Sequence, residues 1–276
     1  MNLASPTVIK NLLSKYETRP SKGLGQNFLI DKKILEKIIE SADIKPSDII
    51  LEVGPGIGTL TQELAKQAKQ VIAVEKDETM IEILKETLPD YKNIDIIHDD
   101  ILKIEKIEKL KNYKVVANIP YYLTSPLIRK FLECDNPPSE MILMLQKEVA
   151  QRICSKPPNM SLLAVSVQFY ADAKIVSYVS KNCFWPSPKI DSAIIKIIPR
   201  ESRAFAGANF VKTFFKVVKA GFSQPRKQLA GNLSKMLKKE KSQVEKWLVE
   251  NKINPIQRAE TLSVEDWKNL TNSFDN

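Results

Sequence analysis

The chain has 276 residues, enough for one large domain or for a large and a small one. Lys and Arg number 42 against 33 acids, a net charge of +9 that suits a polyanionic partner or a basic solubilising surface. No apolar run approaches the roughly 20 residues of a membrane span, and Lys10 and Asn11 interrupt what would be a signal-peptide core, so a cytoplasmic protein without membrane association is expected.

Residues 1–21 are polar and basic with little clear period and read as an N-terminal arm. Asp31 is placed to cap a helix carrying Ile34, Leu35, Ile38, Ile39 and Ala42 on one face. Ile49 to Val53 is a short apolar run with an acid, Glu52, near its end, as in a buried parallel strand. It leads into Gly54-Pro55-Gly56-Ile57-Gly58, then into Leu60, Leu64, Ala65 and Ala68 at helical spacing. Strand, glycine turn and helix form a nucleotide-binding arrangement, but the spacing is G-x-G-x-G and not the dinucleotide fingerprint. Gly54 and Gly56 would let the backbone approach a ligand.

The next strand, Gln70 to Val74, ends in Glu75, an acid able to accept both hydroxyls of a ribose. A third, Ile94 to Ile97, is followed by His98, read as structural, and by Asp99-Asp100, suited to an adenine amino group. A fourth, Lys114 to Ala117, delivers Asn118. In Asn118-Ile119-Pro120-Tyr121 the Asn side chain and the Ile119 carbonyl can accept from an exocyclic amine, Pro120 restricts both neighbours, and Tyr121 offers a ring to a flipped base. Alone, these four residues also fit a strand ending in a proline turn. Four successive strand ends carrying glycine, acid, acid and amide favour a site, because ligands of open α/β sheets bind at those ends.

Glu140 to Leu145 reads as a fifth strand and Met160 to Tyr170 as a buried helix. Ala173 to Val179 and Ile190 to Ile198 flank a Pro-rich loop and suggest an antiparallel hairpin at the sheet edge. Residues 22–200 thus form an α/β domain, expected to be catalytic. Residues 201–276 show helical runs instead: Phe210, Phe214, Val217 and Val218; Leu229, Leu233, Met236 and Leu237; Val244, Trp247 and Leu248; Leu262 to Leu270. Residues 212–241 hold nine Lys or Arg against one acid, Glu240, either a solvated helix face or a grip on phosphate. The three cysteines, Cys134, Cys154 and Cys183, have no paired spacing, and with one histidine a zinc site is not expected; buried thiols in a reducing compartment are.

At this point the chain resembles the S-adenosylmethionine-dependent methyltransferases, and more narrowly the ribosomal RNA adenine N6,N6-dimethyltransferase family (KsgA/RsmA type). The match is carried by Gly23 to Asp31, by Glu52 to Gly58, by Glu75 and Asp100, and by Asn118 to Tyr122. It continues with Phe184 to Ser192 and with Gly221 to Leu229 and on to Asn232-Leu233. The resemblance implies a Rossmann-like class I sheet of seven strands, the last hairpin antiparallel, with a small all-α RNA-binding C-terminal domain. It implies S-adenosyl-L-methionine held by Asn27, Leu29, Gly54, Gly56, Glu75, Lys76, Asp100, Ile101 and Asn118, with Ile101 and Met80 flanking the ring. Asn118, Ile119, Pro120 and Tyr121 would handle the target base, Phe184 would close its other face, and Tyr122 would pack beneath. Lys189, Arg226, Lys227 and Lys235 would meet RNA.

The implied substrate is a pair of adjacent adenosines in the 3′-terminal hairpin loop of 16S ribosomal RNA, in the immature 30S subunit, with a role in subunit biogenesis. A monomer without metal is expected. The alternatives are an Erm-type enzyme acting on 23S ribosomal RNA, a DNA adenine methyltransferase, and a largely non-catalytic RNA-binding assembly factor. Two departures stand out. Pro225 occupies a place where the family usually has a further Arg, and residues 155–159 lack the family's usual glycine and tyrosine.

Overall fold

The structure is a computed structural model and describes residues 1–21, 23–104, 110–200 and 207–274. Residue 22 and residues 201–206, where the expected domain borders fall, lie outside that set. The stretch read as an arm holds a helix, α1 (Pro6–Lys15), which buries Ile9, Leu12 and Leu13. These recur at i, i+3 and i+4, a period that the surrounding polar residues obscure in the sequence. Pro6 opens the helix, where its fixed φ and missing N–H cost nothing.

A two-residue strand, β1 (Phe28–Leu29), precedes α2 (Lys32–Ala42). Asp31 caps α2 as its position predicts, its Oδ1 accepting from the amides of Lys33 and Ile34 at 2.9 and 3.2 Å. Strands and helices then alternate: β2 (Ile49–Val53), α3 (Thr59–Ala65), β3 (Gln70–Glu75), α4 (Glu78–Thr87), β4 (Ile94–His98), β5 (Tyr113–Asn118), α5 (Thr124–Glu133), β6 (Glu140–Gln146), α6 (Lys147–Ile153) and α7 (Leu162–Tyr170). After them come β7 (Ala171–Val179), β8 (Phe184–Trp185) and β9 (Ser192–Pro199). Helices α8 (Ala208–Gly221), α9 (Leu229–Leu237), α10 (Lys241–Glu250) and α11 (Val264–Asn272) complete the chain.

The main sheet has seven strands in the order β4-β3-β2-β5-β6-β9-β7. Its first five strands pair in parallel, and β9 runs antiparallel to β6. This is the class I sheet with the late antiparallel hairpin. The strand order turns back at β2, with β3 and β4 on one side and β5 on the other, so a crevice opens beyond the carboxyl ends of β2 and β5. At the other end of the sheet the Lys114 ammonium lies 3.0 Å from both Asp48 Oδ2 and Glu140 Oε1 and donates to the Ala42 carbonyl at the end of α2. A separate small sheet pairs β1 with β8, Leu29 opposite Phe184.

The chain forms two units: residues 1–150 with 174–199, and residues 151–173 with 200–276. The core of the second unit gathers Phe214, Val217, Leu229, Leu233, Val244, Leu248 and Trp267. Phe169 of α7 joins that core, its ring centroid 4.2 Å from that of Phe214. In the 155–159 segment, the Gln168 amide holds the carbonyls of Ile153 and Ser155, each at 2.8 Å. Gly221 is required by packing, because a Cβ there would meet Trp267 Cη2 at 2.3 Å.

Candidate active site

The crevice in the first unit is lined from the ends of β2, β3, β4 and β5, from residues 24–29 and from Phe184. Asn27, Leu29, Gly54, Gly56, Glu75, Lys76, Asp100, Ile101, Asn118, Ile119, Pro120, Tyr121 and Phe184 all border it. Lys189 is exposed in the loop before β9, while Arg226, Lys227 and Lys235 are exposed in the second unit; none of them lines the crevice.

At the end of β2, Gly54 and Gly56 have φ of +68° and +58°, a region that L side chains rarely adopt. A Cβ on Gly56 would also stand 3.2 Å from Phe28 Cε1. Glu75 is buried, and its carboxylate accepts from the amides of Gly56 (3.1 Å), Lys76 (2.8 Å) and Asp77 (2.9 Å). Burial pushes its pKa up, and these three amides pull against that rise. Asp100 is paired with the Lys76 ammonium at 3.0 Å. Burial raises its pKa, but the Leu102 amide and the Lys76 ammonium outweigh that effect and hold it below the ordinary aspartate value.

Glu52 is the residue that sequence reasoning passed over as a site group. It is buried on the floor of the crevice, and its Oε2 has no hydrogen-bond partner among the described residues. Burial raises its pKa to about 8; Thr61, whose hydroxyl makes no well-formed hydrogen bond, offsets part of the rise, and the Glu75 charge adds to it. The signal was present, an acid inside an apolar strand just ahead of the glycine turn.

On the other wall, the Asn118 amide nitrogen donates to the Asn27 carbonyl at 3.3 Å, which leaves its Oδ1 as the acceptor. Asn27 in turn donates to the Gly25 carbonyl at 3.0 Å. The Ile119 N–H is bound to the Met144 carbonyl at 3.2 Å, so β6 fixes the peptide that presents the Ile119 carbonyl. Tyr121 is half-buried, its hydroxyl 2.9 Å from Ser192 Oγ. Phe184 is buried and is brought to the crevice by the β1–β8 pairing. The segment ahead of β1 is tied down by Gln26, which donates to Asp77 Oδ2 at 2.7 Å.

Three expectations need correction. Tyr122 does not pack beneath the site; it is 54% exposed on the rim, because the turn after Pro120 directs Tyr121 inward and its neighbour outward. Met80 does not flank the crevice; it is buried with Ile9, Leu12 and Leu13, since α1 covers that face of α4. The three cysteines form no disulfide and are only partly buried. His98 is exposed, lies off the crevice, and contacts the Lys76 carbonyl at 3.3 Å.

A family model described as ribosomal RNA adenine dimethylase matches residues 18–276. A protein of Dehalococcoides mccartyi strain CBDB1, named ribosomal RNA small subunit methyltransferase A, is 46% identical over 264 residues, covering 95% of this chain and 90% of its own length. A protein of the same name from Clostridioides difficile strain 630 is 42% identical over 278 residues, covering 98% of this chain and 96% of its own. Among solved structures, a dimethyladenosine transferase from Plasmodium falciparum superimposes with a TM-score of 0.74 at 30% identity, covering 90% of this chain and 97% of that one. The 23S rRNA methyltransferase ErmE gives a TM-score of 0.74 at 28% identity, covering 91% and 100%.

Proposed function

This chain belongs to the ribosomal RNA adenine dimethylase family, and on that premise we propose that it dimethylates the N6 nitrogens of two adjacent adenosines in the 3′-terminal hairpin loop of small-subunit ribosomal RNA during subunit assembly. The family and the class I fold make S-adenosyl-L-methionine the methyl donor. The crevice fits that molecule. Glu52 Oε2, buried and unpartnered, suits the ammonium of its methionine end. Glu75, held by three amides, keeps lone pairs for the ribose hydroxyls, and Asp100 can accept from the adenine amine. Once bound, the donor supplies an electrophilic methyl carried on a sulfonium.

The remaining work falls to the chain. An adenine amine is a poor nucleophile, because its lone pair is delocalised into the ring. Asn118 Oδ1 and the Ile119 carbonyl would take its two hydrogens, favour pyramidal nitrogen and aim the lone pair along the crevice. They also meet the positive charge that develops on that nitrogen. Tyr121 and Phe184 would hold the base between them, and loop bases suit this because little stacking must be broken. The proton released after transfer can pass to solvent. The exposed Arg226, Lys227 and Lys235 of the helical unit, with Lys189, would contact phosphate.

The single observation that supports this reading best is the Asn118–Asn27 hydrogen bond, since it commits the amide nitrogen and frees the oxygen toward the crevice. The test is transfer of labelled methyl into immature small subunits, mature subunits, naked ribosomal RNA and duplex DNA, followed by nucleoside analysis. Dimethyladenosine is expected with immature subunits only; label in large-subunit RNA or in DNA would defeat the proposal. Asn118→Ala should lower kcat by at least roughly 100-fold with RNA affinity retained, and an active Asn118→Ala enzyme would refute the mechanism.

A further inference from the structure

Two tyrosines follow Pro120, and they part company. Tyr121 turns inward to Ser192, 2.9 Å away. Tyr122 is 54% exposed at the rim of the same crevice, and among the described residues it has no hydrogen-bond or ring partner. The divergence is built into the backbone. Tyr121–Leu123 is a 3-10 turn, in which consecutive side chains point roughly 120° apart. The turn is pinned by the Leu123 N–H on the Pro120 carbonyl (2.9 Å) and by the Thr124 hydroxyl on the Tyr121 carbonyl (3.1 Å), and both Leu123 and Thr124 are buried.

The surroundings narrow what could use that ring. Asp99 and Asp100 line the same crevice, and Lys76, a cation in electrostatic reach of the Tyr122 hydroxyl, is already paired with Asp100 at 3.0 Å. With the Lys76 ammonium engaged by Asp100, what Tyr122 offers an approaching RNA is the face of its ring, which suits a base.

We propose that Tyr122 is a second stacking platform, taking the base next to the target nucleotide while Tyr121 takes the target itself. The proposal rests on the RNA methylation reading above. Stacking tolerates any base, so the platform does not depend on the identity of the flanking nucleotide.

The test uses the full chain and immature small subunits rebuilt with RNA in which one of the two adenosines is replaced. Uridine there still stacks but cannot be methylated; an abasic nucleotide does neither. With the uridine substrate, Tyr122→Ala should raise KM by roughly 5- to 100-fold, leave cofactor affinity unchanged, and be rescued by Tyr122→Phe and Tyr122→Trp. The abasic substrate should cost the wild type a similar factor and the Tyr122→Ala variant nothing further. A Tyr122→Ala enzyme with unchanged KM, failure of the aromatic variants to rescue, or multiplication of the two losses would overturn the proposal. Absence of methyl transfer by the wild type would instead sink the reading on which it rests, and that is measured before any variant.

Discussion

Glu52 sits on the crevice floor among apolar strand residues, with a pKa raised to about 8, so at neutral pH it holds a proton that the unfolded chain would release. Its favourable contribution to stability is complete below about pH 4.5 and is lost as pH rises toward and through 8. Glu52→Gln, neutral throughout, should therefore match the wild type in thermal denaturation near pH 4.5. It should exceed the wild type by roughly 5 °C or more at pH 8. The same variant should bind S-adenosyl-L-methionine more weakly, because it has no proton to release and so cannot become a carboxylate when the ammonium arrives. Glu75 is the complementary case, since its carboxylate is organised by three amides. Glu75→Ala should raise the cofactor Kd by roughly 10- to 100-fold in calorimetry while RNA affinity stays within error. An unchanged cofactor Kd would remove Glu75 from the ribose.

At the scale of elements, short pairings set positions that no single element could. The β1–β8 pair brings Phe184 to the crevice that Tyr121 enters from the end of β5. Helix α1 closes over α4 with Leu3, Ile9, Leu12 and Leu13, and the Leu3 carbonyl accepts from Thr59 at the start of α3, just past the glycine turn. In the helical unit, Asn232 donates to the carbonyls of Gly221 (2.7 Å) and Gln224 (2.9 Å), tying down the loop that displays Arg226 and Lys227. Pro225 lies within that tied loop, so the departure from the family pattern removes a cation without removing the loop's anchor. Gly221→Ala should lower stability by about 1–3 kcal/mol through overpacking against Trp267, read as a drop in the urea midpoint at unchanged m-value. A wild-type midpoint would show that the Trp267 ring has room to move.

For the whole molecule, the charge of +9 is unevenly spread in sequence: nine Lys or Arg stand against one acid in residues 212–241. If that surplus grips phosphate, replacing Arg226 and Lys227 together by Ala should weaken binding to all RNA sequences alike. It should also flatten the dependence of log Kd on log salt by about 1 to 2. An unchanged slope in titrations across salt concentrations would return these residues to the role of solvated surface. Division into an α/β unit and a helical unit is consistent with separate tasks, chemistry in the first and phosphate contact in the second.

The amino-acid sequence by itself determined the strands that build the crevice and the residues at their ends. Ile49 to Val53 is β2 to the residue, and Asn118 closes β5 as expected. Such features are local, because apolar spacing dictates which face is buried and glycine or proline dictates where the chain turns. Only the tertiary structure decided which side chains lack a partner and which face outward. Glu52 Oε2 lacks a hydrogen-bond partner because the residue brought opposite it in β3 is Ala73, and Tyr122 is exposed because a pinned turn points it away from Tyr121. Residues 160–170, read as a buried helix, form one over Leu162–Tyr170, but α7 is buried in the helical unit, against Phe214, a residue distant in sequence. Burial and pairing depend on what arrives from elsewhere in the chain, and no local pattern encodes that arrival.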